Sequence, residues 1–431
     1  MKFAEFIADI AIYGLIISLM VHHFFLQSFK VMTRSMEPTL IGDVDCGDRI
    51  LVKKHAYIFK KPQRWDPIVF FYPQNNRQIF IKRLIGLPGE KVHIRNGEIY
   101  IDNMIVRKPP KVVNELLYPL FKTHDNIEYN WEYSNKWQVN AREISVKTKQ
   151  ITWCEYKNTI TNRYEPINNQ RFFYRKQYAY PVGGSERVGE IRLKFNVSLL
   201  DSSGKLFLEL REGEYRFLCE MSTQNSGQIS RYQSENDEVL QKVNFAEKLQ
   251  KNQSITFENI DDLITLTINN KVVAKLNYAK KEEKAPRLTY DTSLRWGVSN
   301  GSFIFSNIAL WRDIYYIAKR DFFGGLTSFN VPNNHYFALG DNPPNSRDSK
   351  DWQIFRFFYQ NGIAVEGDQK NFPHGETRKF TDIYGFERNI PNDILKEDYL
   401  SRQEAPFIPG SYIIGRAIFV FWPITRCKII Y

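Results

Sequence analysis

The sequence predicts a mainly β chain: one N-terminal membrane-spanning helix, then a β domain interrupted by a second, sandwich-like β domain. Three patterns carry this. Short apolar runs bounded by turn residues fill 28–106, similar runs return over 186–316 without helical periodicity, and the character of the first region resumes from 330. The 431 residues leave room for more than one domain, and 43% hydrophobic content excludes a disordered chain. An aromatic share of 15% suits pleated surfaces, on which aromatic rings pack.

The helix comes first, over 1–27. Phe3 to Leu26 is mostly apolar, and Ile10 to Val21 carries no charge. A stretch of roughly 20 residues can cross a hydrocarbon core of about 30 Å. Glu5 and Asp9 fall in its first turns and His22-His23 near its end. Lys2 and the amino terminus favour a cytoplasmic start, which puts the body of the protein on the outer, periplasmic side of the inner membrane. A cleaved signal peptide is the alternative, but Phe24-Phe25-Leu26 continues the apolar run where a small-x-small site would stand.

The strands of the first domain (28–110) follow. Arg49 to Val52, Pro67 to Phe71 and Gln78 to Ile81 are apolar runs between turn residues, and Lys91 to Ile101 alternates on both sides of the hairpin dipeptide Asn96-Gly97. Residues 111–185 are polar and aromatic with no clean period and read as an irregular link. Over 186–316, Glu190 to Val197 and Lys205 to Leu210 alternate. Ile264 to Leu276 forms a hairpin about Asn269-Asn270, and Trp296 to Trp311 closes the set. Many short strands of this kind imply a β-sandwich or jelly roll. From 330 to 431 the first domain resumes, with a polar surface excursion at 360–404. That excursion carries His374 and several acids without metal-ligand spacing. Ile413 to Trp422 is too short to span as a helix and reads as a strand. An inserted domain costs little when its two ends lie close together.

A net charge of +11 would attract nucleic acid or anionic lipid. The apolar segment, with no zinc-finger spacing and no RNP-like motif, favours lipid; scattered solvated lysines are the plain alternative. Cys46, Cys154, Cys219 and Cys427 lie far apart, so they give no metal-site spacing and no dense disulfide framework. They leave either one disulfide or free buried thiols.

The chemistry concentrates in Thr33-Arg34-Ser35-Met36-Glu37-Pro38-Thr39-Leu40, just beyond the apolar segment, and in Ile81-Lys82-Arg83. Serine becomes a nucleophile when a neighbouring base takes its proton, and a neutral lysine can be that base. Its reference pKa near 10.4 must then fall through burial or nearby positive charge, and a fall to about 8 costs roughly 3 kcal/mol. Phe80-Ile81 makes the strand around Lys82 apolar enough to desolvate it. The plain alternative is a solvated strand lysine beside Arg83.

Taken in order, four segments resemble the boxes of bacterial type I signal peptidases, the Ser-Lys enzymes of peptidase family S26. They are Ser35 to Leu40 after an apolar anchor, Gly47 to Val52, Ile81 to Glu90, and Gly340-Asp341-Asn342-Pro343-Pro344-Asn345-Ser346-Arg347-Asp348-Ser349. Gly415-Arg416-Ala417 resembles the closing strand. The resemblance spans 24–106, 335–352 and 408–423. It implies a membrane-bound serine endopeptidase that removes signal peptides from exported preproteins after small-x-small sites, with no metal and no cofactor. Ser35 would be the nucleophile, Lys82 the general base and Thr33 an oxyanion-hole hydroxyl, with Ser346 and Asp348 in support. Phe29, Val31, Met32, Met36, Phe80 and Ile81 would bind the substrate as an extended strand and wall two shallow apolar pockets.

The chain departs from that pattern at Arg34 (usually glycine), Met32 (usually proline), Pro343-Pro344 (usually a charged pair) and Lys350, where an arginine usually pairs with the aspartate matching Asp348. Arg34 is the departure able to alter substrate preference. The insert is similar to concanavalin-like or laminin-G-like sandwiches, which leaves a carbohydrate ligand, a protein ligand or a structural spacer open. Two rival functions follow. One is a membrane-anchored binding protein whose peptidase activity is secondary or lost; the intact Ser35, Lys82, Ser346 and Asp348 weigh against it. The other is an SOS-repressor-like autoprotease, which would need a DNA-binding helix-turn-helix where this chain has an apolar segment. Nucleic acid is therefore not an expected partner.

Overall fold

The computed structural model describes residues 12–14, 25–123, 125, 127–140, 142–164, 184–233, 237–278, 292–319, 327–368 and 377–431. Most of the expected spanning segment lies outside these residues, as does His374. No helix among the described residues is long and apolar enough to cross a membrane.

The chain is mainly β. One eight-stranded sheet runs in the order Leu26–Lys30, Arg49–Lys53, Ile413–Trp422, Pro67–Tyr72, Asn75–Gly86, His335–Leu339 and Ile408–Pro409, with Lys428–Ile429 paired to Ile413–Trp422. Its middle strands join the N-terminal part of the chain to the C-terminal part, so neither closes this sheet alone. A four-stranded sheet, Ser328–Asn330, Lys91–Arg95, Glu98–Ile101 and Met104–Ile105, adds a second apolar cluster around Ile85, Val92, Phe329 and Phe337. Asn96 and Gly97 turn its central hairpin with both φ angles positive, at 49° and 92°, the conformation that the tight mirror-image turn requires.

Between the N-terminal and C-terminal parts of that first sheet lies a two-layer sandwich of one eight-stranded and one seven-stranded sheet. Alternate residues of Ile191–Leu199, Lys205–Glu212, Tyr215–Ser222, Asn252–Asn259 and Thr292–Ser299 point into the shared core. Its centre is aromatic. Trp131 meets Trp296 edge-on at 4.5 Å, and Phe195 and Phe305 pack edge to face at 5.2 Å. The first and last sandwich strands, Tyr118–Lys122 and Gly301–Arg312, pair side by side, with Tyr118 opposite Arg312. The insert thus leaves and rejoins the chain at one place.

Two expectations change. Residues 111–185 are not an irregular link throughout: Tyr118–Lys122, Trp131–Tyr133, Trp137–Val139, Glu143–Thr148 and Thr152–Tyr156 all belong to the sandwich sheets. Runs of three to six residues are too short to show a period, and two of them bury one side chain each, Trp131 and Trp137. The polar tract 360–404 contributes four of five strands of a small antiparallel sheet, closed by Gln353–Tyr359 over Phe357, Phe380 and Ile390. All four cysteines are free thiols.

The sandwich is tied to the four-stranded sheet by buried charge. The Lys108 ammonium bonds Asp261, lies 3.0 Å from Asp313 Oδ2 and 3.9 Å from Glu98 Oε2, and is almost fully enclosed. Burial alone would discharge it, but the surrounding acidic groups, Asp261 and Asp313 first, outweigh burial and hold its pKa well above the usual lysine value. Glu98 and Glu190, beside it, are pushed well above the usual carboxylate range, first by burial; Glu190 is pushed further by Glu98, while Lys108 opposes the shift in both. Glu98, Glu190 and Asp261 lie close enough to chelate a cation, but Lys108 already occupies the centre of the group.

The folded state therefore keeps protons on Glu98 and Glu190 that the unfolded chain releases above about pH 4.5. Stability contributed by this pair should fall as pH rises from there through the raised values. Glu98→Gln should flatten that decline, and Lys108→Met should cost about 3–5 kcal/mol by leaving buried carboxylates unpaired. Urea unfolding at several pH values measures both.

Candidate active site

Ser35 sits in a single 3-10 turn, Arg34–Met36, just after the edge strand Leu26–Lys30. The turn is held by backbone. Val31 N–H donates to Asp48 O at 2.8 Å and Asp43 N–H to Val31 O at 3.1 Å. The loop behind it approaches so closely that a Cβ on Gly42 would lie 1.7 Å from Thr33 O, and one on Gly47 1.9 Å from Val31 O. Asp48 fastens this loop: it accepts from Ile41 N–H and takes a bidentate pair from Arg426 at 2.9 Å. The Thr33 hydroxyl lies 3.3 Å from Ser35 Oγ, with Thr33 exposed and Ser35 only 7% exposed.

Lys82 and Arg83 are neighbours on the long strand Asn75–Gly86, so their side chains leave by opposite faces. Both grip the loop that follows His335–Leu339. Lys82, 3% exposed, donates to Ser346 Oγ at 2.7 Å and lies 3.5 Å from Asp348 Oδ1. The Ser346 hydroxyl donates to that same Asp348 oxygen, which also accepts from Gly340 N–H at 2.9 Å. Arg83, fully buried, forms a bidentate pair with Asp341 at 2.9 and 2.8 Å and also donates to Trp65 O and Tyr431 O. Burial opposes its charge, and Asp341 outweighs burial.

Burial holds the Lys82 pKa below the usual lysine value; Asp348 opposes that shift and the Lys350 charge adds to it. Lys350 itself pairs with Asp351 Oδ2 at 2.6 Å, not with Asp348. Arg34 folds back onto Glu37, Nε to Oε2 at 3.0 Å, and is buried, so its charge is engaged within the turn.

Gly340 joins the two halves of the site. A Cβ there would lie 2.2 Å from Ser346 Oγ and 2.4 Å from Ser35 O. The next residues close the contact: Asn342 N–H donates to Ser35 O at 3.0 Å, and Asn342 Nδ2 to Arg34 O at 3.1 Å. Of the expected pocket residues, Phe29, Val31, Met36 and Ile81 share one apolar cluster. Met32 and Phe80 do not join it. Met32 is 62% exposed, and Phe80, one residue from Ile81 and therefore on the other face, stacks on Tyr72 at 4.5 Å with Lys82 Nζ 5.9 Å from its ring.

Gly42, Asn342 and the Arg83–Asp341 pair carry no sequence pattern that marks them as site residues. An Arg after Lys82 and an Asp-Asn after Gly340 are the only local signals for the last two, because their roles rest on partners far away in sequence.

Residues 3–154 and 253–366 match the family model described as signal peptidase, peptidase S26. The chain belongs to that family. Among curated relatives of this S26 protein, signal peptidase I of Aquifex aeolicus is 34% identical over 144 residues, 33% of this chain and 52% of that protein. Probable signal peptidase I-1 of Synechocystis is 38% identical over 96 residues, 21% of this chain and 47% of that one. The match thus spans about half the length of these relatives. Among solved structures, a carbohydrate-binding module from Bacillus subtilis overlays with a TM-score of 0.29 and 8% identity, over 42% of this chain and 95% of that one.

Gly340→Ala should push Ser35 and Ser346 apart, since the Ser35 carbonyl is backbone and cannot rotate away. A crystal structure of the variant should show the Arg34–Met36 turn displaced, and unfolding should cost about 1–3 kcal/mol less.

Proposed function

We propose that the protein is a membrane-bound serine endopeptidase that cleaves signal peptides from exported preproteins after small-x-small sites. The observation that carries this is the enclosed amine of Lys82. It lies 2.7 Å from Ser346 Oγ, its pKa is lowered by burial, and its loop is locked against the backbone of Ser35.

The donor directions follow from chemistry. Ser346 gives its one proton to Asp348, so its oxygen can only accept from Lys82. A neutral Lys82 that donates there has its lone pair free for the Ser35 proton. Ser35 Oγ then attacks the scissile carbonyl carbon, and the oxyanion is met by the Thr33 hydroxyl and the Ser35 N–H. One such donor is worth roughly 3–4 kcal/mol in the transition state. As the C–N bond breaks, the Lys82 ammonium returns its proton to the leaving amine. A water activated by the regenerated amine hydrolyses the acyl-enzyme.

The substrate has a place to lie. Asn75–Gly86 pairs with Pro67–Tyr72 along one edge, while His335–Leu339 covers only Arg83 to Gly86 on the other. Among the described strands, Gln78 to Lys82 keep that second edge open to an extended peptide. The apolar cluster of Phe29, Val31, Met36 and Ile81 would wall shallow pockets for small side chains. The Phe3–Leu26 segment would anchor the protein in the inner membrane with this edge on the periplasmic side.

Ser35→Ala and Lys82→Ala should each lower cleavage of an Ala-x-Ala preprotein by at least about a thousandfold in detergent. Retention of wild-type cleavage by either variant would refute the dyad. Because the neutral amine is the base, the rate should rise with pH through a Lys82 pKa that lies below 10.5. A rate constant between pH 5 and 9 would contradict this.

A further inference from the structure

One peptide group links the inserted sandwich to the backbone of Ser35. Tyr164 lies between the sandwich strands Thr152–Tyr156 and Ile191–Leu199 and is 1% exposed. Its hydroxyl donates to Asp341 O at 2.8 Å. That carbonyl and the Asn342 N–H belong to one peptide plane, and the N–H donates to Ser35 O at 3.0 Å. A planar amide cannot turn one end without turning the other. Tyr164 therefore fixes, from the insert, the group that holds the Ser35 backbone.

The tyrosine is itself firmly placed. The Arg312 guanidinium stacks 4.4 Å from its ring, and Tyr118 meets it edge-on at 5.0 Å. Arg312 also donates to Arg163 O at 2.9 Å and to Asp313 O at 3.0 Å, tying down the backbone next to Tyr164. Upstream, Asn162 N–H donates to Glu186 O at 2.9 Å and Val188 N–H to Ile160 O at 3.0 Å. Tyr118 and Arg312 are register partners where the insert leaves and rejoins the chain. Burial, opposed by Arg312, leaves the phenol protonated, its pKa pushed up to about 12, so it remains a donor throughout the working pH range. The Asp341 side chain is held independently by Arg83, so Tyr164 addresses the carbonyl and not the carboxylate.

We propose that Tyr164 is a positioning residue for Ser35, which makes the sandwich part of the catalytic machinery as well as an attached module. The proposal rests on the Ser35–Lys82 reading. The test compares Tyr164→Phe with Tyr278→Phe in the full-length, detergent-solubilised protein. Tyr278 is the control: its buried hydroxyl bonds Glu212 at 2.6 Å and Asn259 at 2.8 Å, entirely within the sandwich. Tyr164→Phe should lower kcat for an Ala-x-Ala preprotein about three- to tenfold, as loss of one neutral hydrogen bond allows, with KM and the pH midpoint unchanged. Tyr278→Phe should lower the thermal midpoint and leave kcat alone.

Wild-type kcat in Tyr164→Phe, or an equal loss in Tyr278→Phe, would overturn the proposal. Amide exchange gives a second readout: Tyr164→Phe should accelerate exchange at Asn342, and unchanged exchange there counts against the contact. If the wild-type protein cleaves no preprotein, the dyad reading falls, and the exchange rate then decides whether Tyr164 holds this peptide.

Discussion

The site depends on two consecutive side chains leaving one strand by opposite faces. Lys82 and Arg83 differ by one position, yet the strand's alternation sends one to Ser346 and Asp348 and the other to Asp341. Both partners lie on the same nine-residue loop, which is thereby held from two sides. Once it is held, Gly340 must lie against Ser35, because no side chain fits between them. A single-residue slip of this strand would exchange the two faces and undo both grips.

The two charges meet opposite fates for the same physical reason. Each is removed from water, which disfavours ionisation. Arg83 has a bidentate carboxylate at hydrogen-bonding distance and keeps its charge. Lys82 has its nearest carboxylate at 3.5 Å, behind a serine hydroxyl, and burial prevails. The intervening Ser346 thus sets how much of the Asp348 charge reaches the amine and fixes which way the amine points. The insert is built on a similar contrast. Lys108, touched by several carboxylates at once, stays charged and clamps the sandwich to the four-stranded sheet.

Much of this was legible in the chain. The paired alternating runs and Asn-Gly or Asn-Asn turns gave the hairpins, and the order of the four boxes gave the family. What sequence could not show falls into two kinds. Strands such as Trp131–Tyr133 and Trp137–Val139 are shorter than the window in which alternation becomes visible. Contacts such as Tyr164 to Asp341, or Asn342 to Ser35, run through backbone atoms and leave little trace in residue type. Of the expected substrate-binding residues, Phe80 and Ile81 are neighbours on one strand, and that adjacency sends their side chains to opposite faces and into different clusters.

The side-by-side pairing of Tyr118–Lys122 with Gly301–Arg312 has a kinetic consequence. Arg83 and Asp341 are 258 residues apart, and closing so long a loop from an unfolded chain is slow. If the sandwich forms first, its ends meet, and the search for Asp341 no longer spans the residues between Tyr118 and Arg312. The insert would then act as a strap that shortens the path between the two halves of the candidate site, and the order of folding would favour sandwich before site.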